Sequence, residues 1–68
     1  MNLEVIKAIV AELDGTGKLV NMETTGNVTY DGMLGLETVN GVRMVTVSNP
    51  ASLTYVSPED VVGIQIRR

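Results

Sequence analysis

The sequence predicts a mainly β chain: one N-terminal α-helix followed by five short antiparallel strands, strongly bent, in a small barrel. Three observations carry this. Val28–Glu37 alternates strictly, with Val28, Tyr30, Leu34 and Leu36 on one face and Thr29, Asp31, Met33 and Glu37 on the other, the pattern of a half-buried strand. Gly32 falls in mid-strand on the apolar face, where a glycine marks a sharp bend or bulge at a barrel corner. Turn residues then recur at short intervals, at Gly26-Asn27, Asn40-Gly41, Asn49-Pro50 and Ser57–Asp60, a spacing typical of small all-β barrels.

Asn2 to Leu13 reads as the helix, in a single domain with the helix over residues 2–14 and the barrel over 18–67. Asn2 can cap it, Glu4 suits the positive end of the helix dipole, and Asp14-Gly15 stops it. Leu3, Ile6, Val10 and Leu13 form an apolar stripe that Val5 and Ile9 widen, so the helix is expected to cover an open end of the barrel. The strands follow at Lys18–Thr25, Val28–Val39, Val42–Ser48, Leu53–Ser57 and Val61–Arg67. Between the second and third lies Asn40-Gly41, a hairpin signal because both turn positions favour positive φ.

Composition narrows what such a domain can do. A chain of 68 residues with no Cys, no His and two aromatic residues must build an aliphatic core without disulfides or the usual zinc sites. Domains of this size bury only about 60% of the surface their unfolded chain exposes, so shared burial between copies is the expected source of extra stability. The net charge of −3, from five basic and eight acidic side chains, is a poor footprint for general nucleic-acid binding, although a local basic rim repeated around an oligomer remains open. No basic, apolar and small-residue leader is seen, and no apolar run reaches bilayer length. Lack of cysteine fits a cytoplasmic protein.

The chemistry-bearing residues are few. Without His or Cys the common nucleophile–base pairs are missing. Asp31 and Glu37 share a face but stand six residues apart, about 20 Å at strand rise, too far for a two-carboxylate site. Gly15-Thr16-Gly17-Lys18 resembles a phosphate loop but lacks the upstream glycine and has Leu19 in place of the hydroxyl residue. An enzyme is therefore not expected, nor a cofactor or metal. What remains is recognition at the turn of residues 38–41: Thr38, Val39, Asn40 and Gly41, with Arg43, Arg67 and Arg68 as candidate phosphate contacts. Asn can pair with base edges, but an Asn-Gly turn also explains itself by backbone geometry.

Taken together these elements resemble the Sm-like family. Gly26, Gly32, Leu34, Glu37 and Asn40 follow the outline of its first motif, and Tyr55–Ile66 is similar to its second: a short strand, a tight turn, then a strand. The resemblance implies a helix and five bent strands in a small open barrel. It further implies a homo-oligomeric ring of about five to seven subunits, closed by the fourth strand of one copy pairing with the fifth of the next. Leu53, Tyr55, Val56, Val62, Ile64 and Ile66 would then form the subunit interface, covering edges that carry few blocking charges. Single-stranded RNA is the implied ligand, at Thr38, Val39, Asn40 and Arg43. A divergent, acidic chain of this type suggests a phage lineage, cyanophage included.

Two departures bear on that ligand. The loop position that stacks on a base in RNA-binding members is Thr38 or Val39 here, and the last turn reads Ser57-Pro58-Glu59-Asp60 where the family carries Arg-Gly. Base stacking is worth ~1–3 kcal/mol, and two acids repel phosphate. The alternative is a structural or protein-interaction ring with no nucleic acid; a third is another small barrel, of the Src-homology or connector type.

Overall fold

Asn2 begins the fold by leaving helical geometry, at φ −62° and ψ 133°, while its Oδ1 accepts the Glu4 backbone N–H at 2.7 Å. In the computed structural model, which describes residues Met1–Arg67, this caps helix α1, Leu3–Leu13. Thr16 closes the far end, its Oγ1 and its N–H both donating to the Leu13 carbonyl. Replacing Asn2 by Ala is expected to cost about 1 kcal/mol, read as a lower thermal midpoint. Ile6 is fully buried, with Met1, Ile9, Val10 and Leu13 packed around the same core. Val5, expected in the stripe, is half exposed, because it sits about 100° around the helix from Ile6. The α1 end is also tied down at Met1, whose ammonium donates to the carbonyls of Pro58 and Val61 at 3.0 and 2.7 Å.

Five strands follow: β1 Val20–Thr24, β2 Val28–Val39, β3 Val42–Asn49, β4 Ser52–Val56 and β5 Val61–Ile66, with a single 3-10 turn at Pro58–Asp60. The strand order is β4-β3-β2-β1-β5, antiparallel throughout. β1 starts later than Lys18 because Lys18 donates its N–H to Thr16 Oγ1 within the turn. β2 serves two partners: Val28–Gly32 pairs with β1, and Met33–Val39 pairs with β3. The hand-over falls at Gly32, with φ +151°, where an added Cβ would strike the carbonyl of Ser48. Asn49 supports the same corner, donating from Nδ2 to the Asp31 carbonyl at 2.8 Å while Oδ1 accepts from the N–H groups of Ala51 and Ser52.

The expected barrel does not close. β4 and β5 are the two edges of one bent sheet and do not pair with each other. The 3-10 turn carries the chain from one edge to the other, packing against α1 and β3, so the mouth is spanned by connection and helix instead of by a ladder. The core lies inside the bend: Ile6, Val20, Met22, Leu34, Val45, Val47, Val56 and Val61. No helix among the described residues is long and apolar enough to cross a membrane.

Candidate interaction surfaces: the turn tip and the sheet edges

The last β3–β4 pair is Val45↔Val56, yet β2 and β3 continue through Glu37↔Met44, Thr38↔Arg43 and Val39↔Val42. The hairpin thus runs about 10 Å beyond the end of β4. Asn40 and Gly41 turn it at φ +50° and +78°, a reversal that matches the twist of the flanking strands. Thr38 and Arg43 stand directly opposite one another, and Arg43 Nη1 donates to Thr38 Oγ1 at 3.0 Å. Val39 belongs to the other face, opposite Val42. Of the four residues expected to meet RNA, the fold brings Thr38 and Arg43 together, places Asn40 at the exposed apex, and turns Val39 away. Arg67 is exposed and donates its backbone N–H to the Leu19 carbonyl at 2.8 Å. Arg68, also expected as a phosphate contact, lies outside the described residues.

The turn after β4 has the opposite charge. Glu59 and Asp60 are both exposed, and the Asp60 carbonyl accepts the Thr25 N–H at 2.9 Å. Its backbone therefore locks the β1–β2 loop to the 3-10 turn, and its exposed carboxylate accepts a long hydrogen bond from Thr25 Oγ1 at 3.5 Å. Among the described residues, no three Asp or Glu side chains stand close enough to hold a metal ion.

The edges carry the remaining expected residues. Leu53 and Tyr55 on β4, and Val62 and Ile66 on β5, are exposed. The Val56 side chain is buried in the core opposite Val45, because alternation turns it to the inner face of β4. Ile64 is half-buried against the same core, so these two can serve an edge chiefly through their backbones. The Arg67-to-Leu19 bond fixes the phase of β5. Gln65 and Gly63 face β1, so the N–H and C=O of Ile64 and Ile66 point outward, unpaired by any strand of this sheet.

One contact escaped the sequence. Tyr55 donates its hydroxyl to Glu37 Oε2 at 3.0 Å, across β3. Only the register reveals that β4 and β2 residues meet over the intervening strand. This hydrogen bond, with smaller contributions from burial and from the carboxylate charge, raises the Tyr55 phenol above its usual value. Neutral Tyr55 is the favoured form, so its contribution to stability is present below pH ~10 and lost as pH rises through the raised pKa. In a Tyr30→Phe background, ultraviolet titration should show Tyr55 ionising above the usual phenol range. Glu37→Ala should return it there.

No family model, no curated protein and no solved structure matches the chain.

Proposed function

We propose that the chain is the subunit of a non-enzymatic, Sm-like homo-oligomeric ring of about five to seven copies that takes single-stranded RNA at its turn tips. The observation that carries the reading is the pair of open edges. A bent sheet ends in β4 on one side and β5 on the other, each with exposed apolar side chains, and such edges are a liability unless something pairs with them. Pairing β4 of one copy with β5 of the next satisfies both edges at once and, by repetition, closes a ring. Every copy then contributes one Arg43 and one Asn40, concentrating cations that are outnumbered on a single chain.

Native mass is the first test: a single species of one ring, five to seven times 7.3 kDa, or of two such rings stacked is expected, and a monomer at millimolar concentration overturns the ring. Fluorescence anisotropy with labelled single-stranded RNA is the second. Arg43→Ala, and Asn40→Gly, which keeps the positive φ while removing the amide, should each weaken binding several-fold. Exposed Glu59 and Asp60 favour the second reading, a protein-interaction ring; full ring mass with no RNA binding selects it.

A further inference from the structure

The outer face of the sheet changes character at the bend. Over β5, β1 and the first half of β2 it is polar, presenting Gln65, Asn21, Glu23, Thr29 and Asp31. Here strands alternate apolar-in and polar-out, as in a sheet with one face in water. Past Gly32 the rule fails. The register places Met33, Met44, Val39, Val42, Leu53 and Tyr55 on the outer face, behind the Leu34, Leu36, Val45, Val47 and Val56 that fill the inner one. Five of those six outer residues are 39–56% exposed. Glu37, Thr46 and Ser48 share that outer face, but its exposed large side chains are apolar, so this half of the sheet is largely apolar on both sides, the pattern of strands covered on both sides.

We infer that a second copy of this chain covers this outer face, two molecules packing β2-β3-β4 against β2-β3-β4 about a twofold axis. Charge excludes the main competitors. Among the described residues Glu37, held by Tyr55, is the one charged side chain on the patch, while Arg43 is on the opposite face. A nucleic acid or an anionic lipid surface finds no cation there, and the chain's net charge of −3 repels both. Another copy meets only one acid per molecule. The area also suffices. With ordinary side-chain areas, these exposures amount to roughly 500 Å² per copy, at the upper end of patches on monomers, so a face-to-face pair buries about 1,000 Å² before its polar rim is counted. Two sheet faces packed about 10 Å apart are an ordinary way to bury such surface. The contact is isologous, as twofold pairs require, and does not need the ring: it stacks two rings if the ring forms and makes a plain dimer if it does not.

Sedimentation equilibrium on three proteins tests this. Wild type is expected at twice the ring mass. Met33→Glu/Val42→Glu, placing four like charges in the interface, should halve that mass and leave circular dichroism unchanged. Ile66→Pro, which blocks the β5 edge and leaves the outer face intact, should give twice the single-chain mass, falling to one chain when the two Glu substitutions are added. An Ile66→Pro protein that stays monomeric to millimolar concentration overturns the proposal. So does a wild-type mass that the Glu pair leaves unchanged. If the Glu pair fails to fold, Val42→Glu alone, at the exposed hairpin end of the same face, decides by the same readout. Dimeric wild type that the Glu pair splits would instead sink the ring and keep the twofold contact.

Discussion

Gly32→Ala is expected to abolish the fold or bring it to the margin of stability. Two effects act at the same atom. An added Cβ would overlap the Ser48 carbonyl, with its carbon at 2.8 Å and Val47 Cγ1 at 3.2 Å, and the backbone holds φ +151°, which an L side chain rarely adopts. The obstacle is backbone of β3, so no rotamer change relieves it. Overpacking costs about 1–3 kcal/mol and unfavourable backbone geometry a similar amount. Marginal stabilities of about 0.05–0.15 kcal/mol per residue give a chain of 68 residues about 3–10 kcal/mol to lose. Urea denaturation should show a collapsed midpoint or no cooperative transition. Two other glycines calibrate the result. At Gly35 the Cβ meets only Thr46 Oγ1, at 2.8 Å, a side-chain atom that can rotate, so the loss should be smaller. At Gly63 nothing lies within 4 Å and φ is ordinary, so Ala there should fall within about 0.5 kcal/mol of wild type. A Gly32→Ala protein as stable as Gly63→Ala would show that the β2 corner is not set by this contact.

Ile66→Pro should reduce the proposed ring to at most two chains, with the subunit still folded. The β5 ladder to β1 runs through Gln65 and Arg67, so the Ile66 N–H points to the open edge and proline removes a donor that the single chain does not use. One missing donor and the bulk of the proline ring would recur at every junction between copies. Native mass with circular dichroism reads the result. Full ring mass for Ile66→Pro would place the subunit contact elsewhere than the β5 edge.

The elements were largely legible because each rests on local chemistry. Asn2 does cap α1, β2 spans Val28–Val39 as its alternation required, and Asn40-Gly41 does turn the hairpin. Strand ends shifted where a side chain took a backbone group into a turn, as Thr16 did with Lys18. The candidate tip was legible as a list of residues but not as a surface. Thr38 and Arg43 meet because they are register partners, and Val39 departs because it is one residue further along a strand of period two.

What the sequence by itself determined is the helix, the strands, the turns and the bend at Gly32, because propensity, capping and steric freedom act within a few residues. Only the tertiary structure decided that the sheet stays open, that Val56 is core, that Tyr55 reaches Glu37, and that one half of the outer face is apolar. Those depend on which distant residues stand opposite one another, and antiparallel pairing sets that across the whole sheet at once.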